Sequence, residues 1–136
     1  MTKYLLITLF LFVFTILAFT QSANELYDAG VVKFKSGEFK SAIDLFTKVI
    51  EKSPYYFDAW LDRGRCYDTL GNTELALADF NKAIEKKSDY YQAFYCRGLL
   101  YKKKPDDKAA IDDFTSAIKI KPSQLQSFLQ RAEIYM

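Results

Sequence analysis

Apolar residues recur along the chain at intervals of three and four residues, and this pattern itself repeats every 34 residues. Ala76, Phe80 and Ala83 fall on one face of a helix, and the turn residues Gly71-Asn72 precede them. Without any insertion or deletion, the same residue types return as Ala42, Ala76 and Ala110, as Phe46, Phe80 and Phe114, and as Gly30, Gly64 and Gly98. No run shows the period-two alternation typical of strands, so the pattern predicts an all-α fold.

Each 34-residue period predicts two helices joined by a short turn. Helices are predicted over residues 23–36, 39–52, 57–70, 73–86, 91–103, 107–120 and 125–136. We expect Gly64 and Ala76 to let the backbones of one pair approach closely, with Trp60, Tyr67 and Phe80 filling the flanks. A single pair cannot bury both of its apolar faces, so the units are expected to stack into one continuous core.

Residues 125–136 repeat the pattern of a first helix without a second one. Ser123 and Gln126 are expected to form a capping box at the start of this helix. Three interpretations stay open: a capping helix, a truncated fourth unit, or a surface for self-association.

The first twenty residues have a different composition. Lys3 is followed by an uncharged, apolar stretch over residues 4–19, and a polar segment begins at Gln21. This order is typical of a secretory signal peptide. The alternative is an uncleaved membrane anchor, because sixteen apolar residues approach the length that spans a bilayer. Either interpretation predicts an exported protein, periplasmic or secreted in the first case and membrane-anchored outside the cytoplasm in the second.

The repeated residues resemble the tetratricopeptide repeat family, whose pattern is W-x2-L-G-x2-Y, then A-x3-F, then P. The second and third units match it with Trp60-x2-Arg63-Gly64-x2-Tyr67, Ala76-x3-Phe80, Phe94-x2-Arg97-Gly98-x2-Tyr101, Ala110-x3-Phe114 and Pro122. The resemblance covers residues 23–136, is weaker in the first unit, and has a bacterial style. It implies a right-handed superhelical solenoid of units 23–56, 57–90 and 91–124 plus the half-unit 125–136. It also implies a concave groove that binds another protein or peptide.

Arginines stand where the family pattern has leucine in the second and third units. Arg63 and Arg97 are each followed sixteen residues later by an aspartate, Asp79 and Asp113 respectively. The first unit has Ala29 and Leu45 at the equivalent positions, so both members change from charged to apolar together. This joint change predicts two structural ion pairs within the helix pairs. The alternative is that the arginines bind a carboxylate of a ligand.

The resemblance places the partner-binding groove on one stripe of each first helix. The residues mapped to it are Asn24, Tyr27, Val31, Asp58, Leu61, Arg65, Gln92, Tyr95, Leu99, Lys102 and Leu129. Tyrosine, aliphatic residues and arginine are common at protein interfaces, although some of these side chains could instead pack between units. Members that grip an acidic C-terminal tail use lysines and asparagines at positions held here by Tyr27, Val31, Asp62, Gln92 and Cys96. The resemblance therefore argues against such a tail as the ligand.

Composition narrows the chemistry further. The chain has no histidine, which removes the usual base for a nucleophile and the commonest zinc ligand. We expect no enzyme activity, no metal and no cofactor. The formal net charge of +2 does not call for nucleic acid. Cys66 and Cys96 are expected to be free, partly buried thiols rather than a disulfide, because neighbouring helix axes lie farther apart than a disulfide spans.

Overall fold

The computed structural model describes residues 21–136, which form seven α-helices and contain no strand. In chain order these are α1 (Ala23–Lys35), α2 (Phe39–Lys52), α3 (Phe57–Thr69), α4 (Thr73–Lys86), α5 (Tyr91–Lys103), α6 (Asp107–Ile120) and α7 (Leu125–Ile134). The all-α prediction is confirmed, and every predicted helix is present with ends that agree to within two residues. The predicted signal or anchor segment 1–20 lies outside the described residues. Of the seven helices, none combines the length and the apolar character that a membrane span requires.

The helices stack in chain order as a solenoid of antiparallel pairs. Within each repeat α1 packs on α2, α3 on α4 and α5 on α6, and each second helix packs on the next first helix. The buried side chains follow this order, since one apolar cluster joins Leu26 of α1, Phe46 of α2 and Ala59 of α3. A second cluster joins α3, α4 and α5 in the same way. The core therefore runs through successive repeats instead of being closed within one.

Each helix pair is held by a phenylalanine ring that lies directly on a glycine. A Cβ atom added to Gly64 would lie 2.8 Å from Cε1 of Phe80, and one added to Gly98 would lie 2.8 Å from Cε1 of Phe114. Phe80 therefore lies on the glycine itself and not only at its flank, while the expected approach of Gly64 and Ala76 stays a prediction. The glycine makes room for the ring itself, which is why the two residue types recur together.

The helix starts follow the repeat register more closely than local capping rules. The residues that precede α3, α5 and α7 are Tyr56, Tyr90 and Gln124, which are spaced 34 residues apart. The predicted capping box of Ser123 and Gln126 is wrong, because α7 begins one residue later and Gln124 makes no side-chain capping bond. A complete capping box occurs instead at α1, where Ser22 and Glu25 bond each other's backbone N–H groups.

Candidate functional site: a cleft along the first helices

The first helices α1, α3 and α5 lie side by side and border a cleft of about 250 Å³. Apolar, aromatic and charged side chains meet in it. The lining residues are Phe34, Arg65, Asp68, Thr69, Phe80, Tyr95, Cys96 and Leu99. Three residues predicted for the groove, Arg65, Tyr95 and Leu99, lie on this cleft. An apolar cavity with a few polar groups at its edge suits the side chains of a bound polypeptide.

Arg65 is the exposed basic group of the cleft. Its Nη1 atom donates to Oδ1 of Asp62 at 3.0 Å, and its guanidinium carbon lies 4.7 Å from the centre of the Phe34 ring. These two contacts restrict the arginine, although 46% of its side chain stays exposed. Arg65 can therefore donate further hydrogen bonds to a bound chain without losing its position.

Two tyrosine–aspartate hydrogen bonds fix carboxylates on α3. The hydroxyl of Tyr27 on α1 donates to Oδ2 of Asp62 on α3 at 2.7 Å, and the hydroxyl of Tyr90 donates to Asp58. Burial, and then the hydrogen bond to Asp62, raises the pKa of Tyr27 above its ordinary value. The same two causes act on the pKa of Tyr90, with Asp58 as its partner. Both hydroxyls therefore stay protonated and fix the two carboxylates in place.

Two lysines at the carboxyl end of α5 form ion pairs with acidic side chains of α3 and α7. Nζ of Lys103 contacts both carboxylate oxygens of Asp68 at 2.8 Å. Nζ of Lys102 lies 2.5 Å from Glu133 and 3.0 Å from Gln130 on α7. Lys102 thus ties the last helix to α5.

The other predicted groove residues lie outside this cleft. Asn24 and Leu129 are exposed, and Val31 and Gln92 are half-buried. Leu61 is only 5% exposed and belongs to the apolar cluster that joins the second and third repeats. Its assignment to the groove is corrected, because a side chain packed between repeats offers almost no surface to a partner.

The two arginine–aspartate contacts predicted from the sequence are present. Nε and Nη2 of Arg63 donate to the two carboxylate oxygens of Asp79, each at 2.8 Å. Arg97 and Asp113 have the same arrangement, at 2.8 and 2.7 Å. Burial raises the pKa of Asp79, and the adjacent guanidinium opposes that rise. Since both partners lie between the helices of a pair, these contacts stabilise the repeat and do not face the cleft.

Both cysteines are free thiols. Burial raises the pKa of Cys66 to about 12 and that of Cys96, which lines the cleft, to about 11. A thiol with so high a pKa is a poor nucleophile at neutral pH. Within residues 21–136 no group of three or more cysteine, aspartate or glutamate side chains is placed to hold a metal ion.

Tyr90, which fixes the carboxylate of Asp58 on the predicted stripe, is a residue that the sequence analysis missed. It precedes α5 and therefore lies outside the helical stripe from which the groove was predicted. The 34-residue register contained a usable signal, since Tyr56 holds the same position one repeat earlier and stacks on Tyr27 with ring centres 4.9 Å apart.

Comparison with solved structures identifies similar peptide-binding domains. The first TPR domain of Spaghetti (RPAP3), bound to the HSP90 peptide SRMEEVD, has a TM-score of 0.81 at 25% identity, covering 85% of this chain and 92% of that one. The second TPR domain of human RPAP3, in complex with the HSP70 peptide SGPTIEEVD, has a TM-score of 0.78 at 24% identity, covering 84% and 95%. YrrB, a TPR protein with an unusual peptide-binding site, has a TM-score of 0.76 at 23% identity, covering 83% and 58%.

Sequence comparison agrees with the structural likeness. An uncharacterized protein of Methanocaldococcus jannaschii is 34% identical over 56 residues, which cover 41% of this chain and 65% of that protein. The tetratricopeptide repeat profile matches residues 27–91 and 69–124, which together make up well over half of the chain. With its helix pairs, its glycine–phenylalanine contacts and this match, the chain belongs to the tetratricopeptide repeat family.

Proposed function

We propose that the protein is an adaptor that holds an extended segment of another polypeptide in the cleft along α1, α3 and α5. The observation that carries the proposal is the combination of an apolar cavity with the exposed, restrained guanidinium of Arg65 at its edge. Aromatic and aliphatic walls bury a side chain of the partner, and the arginine donates to its backbone carbonyls. Peptide binding by similarly folded domains supports this assignment.

The bound segment differs in charge from the acidic peptides of the RPAP3 domains. Asp62 pairs with Arg65 of the cleft, Asp58 lies one helical turn earlier on α3, and tyrosine hydroxyls fix both carboxylates. A segment that ends in several carboxylates would meet these aspartates, and like charges at close range repel. The cleft therefore favours a neutral or basic segment with one large apolar side chain.

The adaptor acts outside the cytoplasm in this proposal. The support is the order of a basic residue, an apolar stretch and a polar segment over residues 1–25, which is typical of an exported protein. A cleaved signal peptide gives a periplasmic or secreted scaffold. The alternative is an envelope assembly factor anchored by residues 4–19. Mass spectrometry of the purified protein distinguishes the two, because cleavage gives a chain that starts at or near Gln21.

A matched pair of substitutions tests the cleft. Leu99→Glu puts a carboxylate into the cavity, whereas Leu75→Glu makes the same change at an exposed position of α4 that does not line it. Partners are recovered from the envelope fraction with each variant, and the recovered segment is then measured as a synthetic peptide by fluorescence anisotropy. We expect Leu99→Glu to lose the partner and Leu75→Glu to keep it. Equal recovery by both variants would place the binding surface elsewhere.

The acidic peptide SRMEEVD provides a second measurement with the same assay. We expect this peptide to bind less tightly than the recovered partner segment. Asp62→Asn should reduce the difference between the two dissociation constants, because it removes one negative charge. Tight binding of SRMEEVD by the wild-type protein would contradict the charge argument.

A further inference from the structure

One edge of the solenoid is formed by the loops between units, together with the ends of the second helices that lead into them. We call it the basic edge and define it as residues 48–56, 82–90 and 116–124. These segments contain seven lysines and three acidic residues, whereas the rest of residues 21–136 contains eleven basic and fourteen acidic residues. The basic edge therefore has the opposite net charge to the remainder of the described chain.

Neighbouring loops touch each other, so that the basic edge is one continuous surface. Nζ of Lys86 lies 5.0 Å from the centre of the Tyr55 ring, which belongs to the preceding loop. Nζ of Lys121 lies 4.6 Å from the centre of the Tyr91 ring and donates to its hydroxyl at 3.2 Å. Tyr55 nevertheless stays 78% exposed. Lysines and tyrosines thus meet at successive junctions on a surface that solvent reaches.

The positive charge of the basic edge is less balanced than that of the opposite edge, where the turns within units lie. At the opposite edge, Lys103 and Lys104 each have a carboxylate of their own, from Asp68 and Glu74 respectively. At the basic edge, Lys82 and Lys86 share the single carboxylate of Glu85. The basic edge is therefore the better surface for an anionic partner.

The chain enters its described part at this same edge. Tyr27, near the start of α1, stacks on Tyr56 of the basic edge with ring centres 4.9 Å apart. The uncharged, apolar stretch of residues 4–19 comes just before α1 in the sequence. Only residues 20–22 separate the two, and so short a connection spans no more than about 15 Å. Any membrane contact of residues 4–19 is thus brought next to the basic edge and not to the opposite one.

We propose that the basic edge binds the anionic headgroups of a lipid bilayer and orients the solenoid with its helix axes pointing away from the membrane. Each lysine near an anionic bilayer strengthens binding about fivefold. Tyr55 adds an exposed aromatic ring of the type found at membrane–water interfaces. None of the residues that line the cleft belongs to the basic edge, so a bound bilayer leaves the cleft open. The surface is therefore separate from that of the proposed function.

Trp60 provides the reporter for a test. It is the only tryptophan of the chain, and its Nε1 atom donates to the carbonyl oxygen of Pro54 on the basic edge at 2.9 Å. Energy transfer from Trp60 to a dansyl-labelled lipid headgroup therefore reports how close this edge lies to a vesicle. The protein, purified in its exported form, is mixed with vesicles of phosphatidylcholine alone or of phosphatidylcholine with phosphatidylglycerol. The salt concentration is about 0.15 M, at which charges more than about 8 Å apart are largely screened.

Two double variants remove the same charge from opposite edges. Lys119→Gln/Lys121→Gln changes the basic edge, Lys40→Gln/Lys108→Gln changes the opposite edge, and all four side chains are exposed. We expect strong transfer with anionic vesicles and little with neutral ones. The first variant should lower the ratio of docked to undocked protein about 30-fold, and the second should change it less than about twofold. Leu99→Glu should leave this ratio unchanged, which distinguishes a failure here from a failure of the proposed function.

Three results would overturn the proposal. Equal transfer with neutral and anionic vesicles would show that lipid charge plays no part in binding. Equal losses in the two double variants would assign the effect to the overall charge of the protein. Binding of a single-stranded oligonucleotide that Lys119→Gln/Lys121→Gln abolishes, without any preference for anionic vesicles, would assign the basic edge to nucleic acid.

Discussion

The buried Arg63–Asp79 pair can be replaced by the apolar pair that the first repeat already uses. Ala29 and Leu45 stand at the equivalent positions there, so Arg63→Ala/Asp79→Leu gives the second repeat the residue pair of the first. The side chains of Arg63 and Asp79 are 15% and 6% exposed, and two hydrogen bonds of 2.8 Å join them. Breaking such a pair on one side leaves a buried charge without its partner.

The expected magnitudes follow from that burial. Removing one partner of a buried ion pair costs about 3–5 kcal/mol of the free energy of unfolding. Arg63→Ala isolates the more buried group, Asp79, and is expected to cost about 3 kcal/mol. Asp79→Leu should cost less, about 2 kcal/mol, because Arg63 keeps some solvent and its bond to Thr47. The double variant should lie within about 1 kcal/mol of wild type, since apolar replacement of a whole pair is often neutral.

Equilibrium urea unfolding followed by far-UV circular dichroism measures the four free energies of this cycle. The expected coupling is about 4 kcal/mol. The exposed pair of Lys82 and Glu85 is the control, and its coupling should stay below about 0.5 kcal/mol. A double variant no more stable than Arg63→Ala alone would refute the idea that the two positions form one interchangeable unit.

Three further predictions concern stability and thiol chemistry. Gly64→Ala should destabilise the protein by about 1 kcal/mol, because overpacking against Phe80 exceeds the gain in helix propensity. Adding Phe80→Leu to this variant should recover part of the lost stability. An increase in the urea midpoint of Gly64→Ala alone would contradict the contact. Ser127→Ala should stabilise the protein by about 1 kcal/mol, since the buried hydroxyl has no hydrogen-bond partner within residues 21–136 and Ala59 and Ala93 hold the equivalent positions. An unchanged or lower urea midpoint would show that the hydroxyl is satisfied. Cys96 should react with Ellman's reagent about 100-fold more slowly at pH 8 than it does in the urea-unfolded chain. Because burial raises its pKa to about 11, the rate in the folded protein should keep rising above pH 9, where that of an ordinary thiol levels off; a plateau near pH 9 would contradict this.

The sequence predicts the fold well because the information is local and repeated. Helical periodicity, turn residues and the 34-residue spacing each fix features within one repeat, and three copies agree on them. The joint change of Arg63 and Asp79 to alanine and leucine in the first repeat identified a contact for the same reason. Both members of that pair belong to one helix pair, whose geometry the repeat defines.

The cleft depends on relations between repeats, which a single period does not define. Leu61 shares its helical position with Tyr27 and Tyr95, yet it is buried in a cluster with Tyr90, which precedes α5, and Ala93 of α5. How far one repeat rotates over another decides that outcome. The bonds of Tyr27 to Asp62 and of Tyr90 to Asp58 have the same origin. The sequence therefore located the stripe, and the rotation between repeats selected which of its residues remain accessible.

The arginines of the second unit, the third unit and the last helix also make the two directions along the solenoid unequal. Arg63 donates a hydrogen bond to Thr47, Arg97 to Asn81 and Arg131 to Thr115. At each junction between units, the later unit therefore supplies this donor and the earlier unit the acceptor. Truncation from the carboxyl end removes each arginine together with its own repeat. Truncation from the amino end leaves an arginine without the side-chain oxygen to which it donates. The free energy of local unfolding should therefore differ between the two ends of the solenoid, and a protease or a pulling force should meet different resistance at each.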